Sequence, residues 1–328
     1  MKKYFIYTIL FAFIASISFT GCKYEETVCD CSPEGADPYA TLTEYLVEND
    51  MDLPDVLASW ITARPATIDE VSTFVATYDI FDIRSETDFV KGHIEGAQNV
   101  TLANLLEKAA STTKPILVVC YTGQTASHAV VALRLSGYPD AKVLMWGMSG
   151  WRSDLSGPWL ANSGNDNGVV GVGHSNWSTA DVASNSSQDT PELTTSATDG
   201  AGILEDRVAT MLENGFKGVA SSAVLEGPSG YMINNYWAQA DVDHYGHIAG
   251  AYRISPLSIE GGEIDFLDPD QQICTYCWTG QTSSMITAYL NILGFNAVSL
   301  KFGANSMIYS ELESHKFIAP TVDYPVVQ

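Results

Sequence analysis

The stretch "CYTGQTAS" at Cys120–Ser127 returns as "CWTGQTSS" at Cys277–Ser284, and a phrase of that length spelled twice constrains a chain more than its composition does. Around each copy the same landmarks recur in the same order. "TEYLVENDMDLPDVLASW" is echoed by "RVATMLENGFKGVASS", "GHIEGA" (Gly92–Ala97) by "GHIAGA" (Gly246–Ala251), and Gly137 after the first copy by Gly294 after the second. Agreement at that many points marks a duplicated unit rather than a chance motif. The 328 residues suit two domains of about 100–150 residues each. With 46% hydrophobic and 11% aromatic residues, each has a core to bury.

The local patterns read as α/β. Leu42, Tyr45 and Leu46, then Val56, Leu57, Trp60 and Ile61, fall at helical spacing and predict two short helices. "YDIFDIR" (Tyr78–Arg84) has the alternation and β-branching of a strand, and "PILVVC" (Pro115–Cys120) is an apolar run of the kind buried on both faces of a parallel sheet. Ala129, Val130, Ala132 and Leu133 form a helical stripe closed by Gly137, and "AKVLMW" follows as another strand. Strand, helix and strand in that order make a right-handed βαβ unit, with the cysteine where strand turns into helix.

That position has chemical consequences. A loop of about five residues curling from a strand into a helix turns backbone N–H groups toward the cysteine sulfur, and such a ring favours an anion. The helix N-terminus should then lower the thiol pKa and make the sulfur nucleophilic, and the same cradle would hold a persulfide. Gly123 and Gly280 allow the bend, and Thr125 and Thr282 are placed to cap the helices.

The run "FDIRSETDFVKGHIEGAQNV", followed by a strand, "CYTGQT", a helix, a strand and "WGMSGW", resembles the rhodanese (sulfurtransferase) domain. The resemblance implies an α/β fold of two rhodanese-like domains, each a central parallel β-sheet, five-stranded in that family, flanked by helices. It implies that Cys120 and Cys277 are the catalytic sulfur carriers and that Tyr121, Thr122, Gly123, Gln124 and Thr125, with Trp278, Thr279, Gly280, Gln281 and Thr282, form the substrate-binding loops. No cofactor is called for. Asp82 and Arg84 fall on the family's Asp-x-Arg, read as a structural pair, and Asp88 on its usual acidic residue; in the second copy Asn235 replaces the aspartate, no arginine follows, and Met307 stands for Trp151. Phosphatases of related topology need C-x5-R to clamp an oxyanion, whereas positions 126 and 283 are Ala and Ser. With uncharged neighbours after each cysteine, a persulfide, a polysulfide or an organic thiol suits the loops better than thiosulfate.

The remaining organisation follows from composition. "MKK" and the apolar run after it read as a signal peptide over residues 1–21, and "SFTGC" resembles the lipobox of bacterial lipoproteins, which implies lipidation of Cys22 and a body held in the cell envelope, outside the cytoplasm. An uncleaved anchor helix is the alternative. Residues 22–38 then form a tether, 39–161 the first domain, 162–200 a Ser/Gly/Asn-rich linker and 201–328 the second domain. A net charge of −23 sets the chain against nucleic acid and leaves membrane contact to the lipid. The expected partners are small sulfur compounds or thiol acceptors. "CDC" (Cys29, Cys31) lacks further ligands for a metal, so no metal site is expected. "CTYC" (Cys274–Cys277) spells a redox pair, but three extended residues separate the Cα atoms by roughly 10 Å, beyond the roughly 7 Å limit for a bridge. A buried strand residue or a resolving thiol are the two readings of Cys274. His93 and His247 should satisfy backbone in the "GHI" turns, and His128 is either a half-exposed helix residue or a general base. Besides the enzyme, a non-catalytic rhodanese-like binding or sulfur-carrier module and a thiol-disulfide protein remain open.

Overall fold

The computed structural model describes residues 37–164 and 171–328. The expected signal peptide, Cys22, Cys29 and Cys31 lie outside the described residues. The described residues fall in one compact unit.

The first half is built on five parallel strands, β1 (Ile61–Thr62), β2 (Asp79–Asp82), β3 (Gln98–Asn99), β4 (Ile116–Val119) and β5 (Lys142–Leu144), in the order β1-β5-β4-β2-β3. β4 sits at the centre and all of its residues are buried, as the apolar run requires. A short antiparallel pair follows, β6 (Trp177–Ser178) with β9 (His247–Ile248). The second sheet joins β7 (Gly218–Val219), β8 (Met232–Asn235), β10 (Ile273–Tyr276) and β11 (Ala297–Leu300) in the order β7-β11-β10-β8, again all parallel. It has four strands where the resemblance implies five. In the missing strand's place Tyr252 makes an isolated parallel bridge to Asn234.

Neighbouring parallel strands need a crossover, and the crossovers position the site. Helix α1 (Pro38–Glu48) opens the first half, α2 (Gln124–Leu135) joins β4 to β5, α3 (Gly200–Asn214) opens the second half, and α4 (Gln281–Ile292) joins β10 to β11. α2 packs on α4 and α1 on α3. Leu42 and Leu46, Val130 and Leu133, Ile203 and Val208, and Ile286 and Tyr289 therefore meet in one core shared by both halves. The buried Asp52 carboxylate adds a polar lock: it accepts from Leu53 N at 2.6 Å in its own half and from Ile259 N and Glu260 N, at 3.0 and 3.1 Å, in the other.

Two local expectations change. Trp60 and Ile61 leave the helical register, because the helix stops at Val56 and Ser59 takes positive φ; Ile61 begins edge strand β1, where pairing with β5 satisfies its backbone. The segment expected as a loose linker is laid along the second half beyond residue 170. Gly171 N donates to Met307 O, Asn176 Nδ2 to Leu225 O, Trp177 Nε1 to Tyr245 O and Ala183 N to Ala251 O. Its poverty in aliphatics hides this, since the attachment is made by hydrogen bonds and by scattered apolar contacts of Trp177, Val182 and Leu193 rather than by an apolar stripe.

Candidate active site

Cys120 stands one residue past the end of β4 and Cys277 one past the end of β10, both at the carboxyl edge of a parallel sheet, where open α/β folds gather ligands. Each chain then turns through a glycine at positive φ, Gly123 at 82° and Gly280 at 76°, and enters its helix at the next residue. Without the freedom of glycine that turn would be strained. The expected capping threonines are not caps: the N-caps are the glycines, and Thr125 and Thr282 sit inside the first turn. Thr122 and Thr279 take over part of that work, their hydroxyls accepting from Gln124 N at 3.4 Å and Gln281 N at 3.2 Å.

The loops cradle sulfur in two ways. Cys120 Sγ accepts the Gly123 N–H at 3.1 Å. Cys277 Sγ accepts the Ser283 N–H at 3.3 Å and lies 3.6 Å from Ser283 Oγ, which is itself 2.7 Å from Ser299 Oγ. The hydroxyl pair is peculiar to the second half, since Ala126 stands where Ser283 does. The difference was visible in "TAS" against "TSS", but the partner Ser299 comes from β11 and no local pattern announces it. Both loops are tied down from behind by the turn after the last strand. Met148 N and Ser149 N donate to the carbonyls of Cys120 and Tyr121, and Ala304 N and Asn305 N to those of Cys277 and Trp278.

Burial alters the electrostatics expected of the cradle. Cys120 is 6% exposed and Cys277 2%, so neither sulfur lies open at a pocket floor. Burial pushes the Cys120 thiol up, and the N–H groups of Ala126, Thr122 and Gly123 offset this only in part. The expected depression of that thiol is therefore overturned for Cys120 in the closed loop: loss of water costs the thiolate more than the amides return.

The flanking groups distinguish the halves. In the first, Arg84 and the Asp82 carboxylate form a buried pair at 2.6 Å, with Arg84 Nη2 also donating to Gly92 O and the guanidinium 5.1 Å from the Tyr121 ring centre. The sequence reading of a structural Asp–Arg pair agrees with this geometry. In the second, Trp237 takes Arg84's place and lies on Trp278, which takes Tyr121's, with centroids 4.4 Å apart and planes 9° from parallel. His315 stacks against Trp278 as well, at 5.3 Å, and Tyr245 meets it edge-on. The Asn235 amide, in Asp82's position, is buried with neither polar atom partnered among the described residues.

The other candidates fall outside this chemistry. Cys274 is fully buried within β10, in register with Val298 and Ile233, and burial pushes its thiol far up. His93 Nδ1 lies 3.0 Å from Phe89 O, and the two ring nitrogens of His247 lie 2.8 Å from Ile248 O and Ala180 O. His128 is 2% exposed rather than half-exposed, because α2 faces the other half and not solvent.

Residues 67–154 match the rhodanese-like domain. The chain is 34% identical over 88 residues to the thiosulfate sulfurtransferase GlpE of Pseudomonas fluorescens, a match covering 26% of this chain and 79% of that protein. The chain belongs to the rhodanese-like family. A second relative of the same description, from Shewanella oneidensis, is 36% identical over 81 residues, covering 24% of this chain and 80% of its own length. An uncharacterized protein, YibN of Escherichia coli, is 31% identical over 80 residues, 23% of this chain and 56% of that one. Among solved structures, a thiosulfate sulfurtransferase from Pseudomonas aeruginosa aligns over 87% of this chain and 49% of its own at 15% identity and a TM-score of 0.29. A 3-mercaptopyruvate sulfurtransferase from Leishmania major aligns over 76% and 74% at 13% identity and a TM-score of 0.26. The rhodanese match holds Asp82, Arg84, Cys120 and Trp151, all in the first half.

Proposed function

We propose that the chain is a sulfurtransferase of two rhodanese-like halves, in which Cys120 and Cys277 alternate between thiolate and persulfide. The observation that carries the reading is the Cys120 sulfur receiving the Gly123 N–H at 3.1 Å at the end of a parallel strand inside the family-matched segment; Cys277 holds the same place in its own strand and loop, with the Ser283 N–H as its donor at 3.3 Å. The relatives named as sulfurtransferases support the reaction class. In the first step the cysteine thiolate attacks the outer sulfur of a donor persulfide; the donor's S–S bond breaks, its thiolate leaves with the electron pair, and a cysteine persulfide forms. An acceptor thiolate then takes that outer sulfur and returns the cysteine thiolate, which is ping-pong transfer with no net change in oxidation state. The amide cradle would hold the anionic persulfide. Tyr121 and Trp278, each half-buried beside its cysteine, suit an organic donor or acceptor, and Arg84, a cation beside the first loop, is already neutralised by Asp82.

The test is to incubate the chain with thiosulfate or with an organic persulfide and weigh it intact. Gain of up to two sulfur atoms, one of them lost in each of Cys120→Ser and Cys277→Ser and all released to cyanide or a thiol, is the expected result. If neither cysteine ever gains sulfur, the enzyme reading fails. Burial of both sulfurs favours a second reading, a sulfur-carrier or binding module, which would load without turnover. The thiol-disulfide reading fares worse, because Cys274 is sealed inside the sheet.

The "SFTGC" lipobox and the net charge of −23 support a further part of the proposal, that Cys22 is lipidated and the body is tethered in the cell envelope. Cys22→Ser should release the chain from the membrane fraction and abolish fatty-acid labelling; unchanged membrane retention would contradict it.

A further inference from the structure

The two cysteine loops touch, and the contact is made by glutamines. Gln124, 3% exposed at the first residue of α2, sends its side chain across the seam so that Oε1 accepts the N–H of Phe302 at 2.9 Å. Its Nε2 is steadied at home by Thr122 Oγ1 at 3.3 Å. A Cβ built on Gly280 would run into Gln124 Oε1 and Phe302 N, so the space left by that glycine is where the foreign amide sits. Phe302 is not a neutral anchor. It holds positive φ and leads into Gly303 and the turn whose next amide, Ala304 N, donates to the carbonyl of Cys277 at 3.0 Å. The chain of contacts therefore runs from the first half's loop, through one hydrogen bond, to the backbone behind the second half's cysteine.

The reverse contact is different. Gln281 packs its side chain over Gly123, but its Nε2 is buried and has no hydrogen-bond partner among the described residues. The duplicated phrase thus gives two glutamines of which one is bonded across the seam.

We propose that Gln124 is a positioning residue for Cys277: it clamps the Phe302 turn from the opposite half and so keeps the second cysteine's loop closed. This deepens the sulfurtransferase reading and rests on it for its purpose, since the state of the first loop would then bear on access to the second. One neutral hydrogen bond is at stake, and its loss corresponds to about a fivefold change in an equilibrium or a rate.

The experiment is alkylation of the full chain by iodoacetamide, followed separately at Cys120 and Cys277 by peptide mass across a pH series. The midpoint reports each thiol's ionisation and the alkaline plateau reports access to the thiolate. Gln124→Met, which cannot accept from Phe302 N, should raise the Cys277 plateau about fivefold. Gln124→Glu, which keeps the acceptor oxygen, should hold the plateau at the wild-type value. If Gln124→Met does not fold, Gln124→Asn, too short to reach Phe302, replaces it with the same expected plateau. An unchanged Cys277 plateau in Gln124→Met, or an equal rise at both cysteines in Met and Glu variants alike, would overturn the proposal. Alkylation needs no sulfur transfer, so a chain that never gains sulfur but shows the Cys277 effect would refute the enzyme and leave the positioning role standing.

Discussion

Trp237 lies flat on Trp278, rings 4.4 Å apart and 9° from parallel, where the first half sets Arg84 against Tyr121. The second half has exchanged a buried ion pair for an aromatic stack beside its cysteine. The exchange is consistent across positions: with Asn235 for Asp82 there is no carboxylate to neutralise a guanidinium, and a ring is the group that fills the volume without one. Trp237→Ala should cost about 3–5 kcal/mol, the usual loss for a buried tryptophan, read as a lowered denaturant midpoint. Trp237→Arg alone should lose at least as much, because it buries an unpaired charge, and adding Asn235→Asp should recover part of the loss. A single variant as stable as the double one would show that the two positions are uncoupled.

The first half makes the complementary case. Asp82 and Arg84 are both almost completely buried, and the carboxylate takes three hydrogen bonds from the Arg84 side chain. Removing one member strands the other, so Asp82→Asn should destabilise the chain by about 3–5 kcal/mol. Replacing both residues by apolar ones of similar size should cost less than either single change. Denaturant unfolding of the three variants decides it, and an Asp82→Asn chain of wild-type stability would contradict the ion-pair account.

Cys120 carries a pH prediction with a definite sign. Its thiol is pushed up by burial, which outweighs the amides of Ala126, Thr122 and Gly123, so little thiolate is present at neutral pH while the loop is closed. Alkylation and sulfur loading at Cys120 should be slow near neutrality and keep rising beyond the free-thiol value of about 8.5. A midpoint below about 7.5 would instead show that the cradle dominates in solution.

The sequence carried the strand, loop and helix around each cysteine because those are local. Apolar runs, a glycine four positions into the loop and a helical stripe each act within a few residues, and Asp82 and Arg84 are near neighbours. What it did not carry are effects that need distant groups. Trp237 read only as a missing arginine, since its partner Trp278 is on another strand's loop; Gln124 read as part of its own loop, since Phe302 belongs to the other half; and the thiol of Cys120 read as depressed, since the amides are local while the burial comes from the whole fold.

His128 should make the protein acid-sensitive. Burial at the seam lowers its pKa to about 4, with the nearby Lys217 charge adding to the effect and the Met211 carbonyl opposing it. An unfolded histidine titrates near 6.5, so between those values the unfolded chain binds the proton and the native one does not. Stability from this group is full above about pH 6.5 and falls as pH drops toward about 4, by roughly 3 kcal/mol in all. His128→Leu removes the group. The wild type should therefore lose ground to that variant as pH is lowered from about 7 to about 4.5, by urea midpoints taken side by side. A pH-independent difference would mean that His128 is protonated, or solvated, in the native state.

The chain's last residues return to the first half and close its core. Tyr324 is 2% exposed, packs edge-on against Trp151, lies under Arg64 and donates its hydroxyl to Pro65 O at 2.6 Å. Trp151 Nε1 donates to Pro325 O, and Val327 exchanges both backbone hydrogen bonds with His93 at 2.9 Å. Tyr324 belongs to the same cluster as Ile80, Leu117, Val119 and Leu144, so the strap completes the side of the first sheet away from the other half's helices. Tyr324→Ala should cost about 3 kcal/mol, as for other large buried rings, and a stop codon after Thr321 should cost more. The loss should be local: amide hydrogen exchange should quicken at β2, β4 and β5 and change least at β10 and β11, where none of these contacts reach. Equal quickening in both sheets would instead show that the two halves unfold as one cooperative unit.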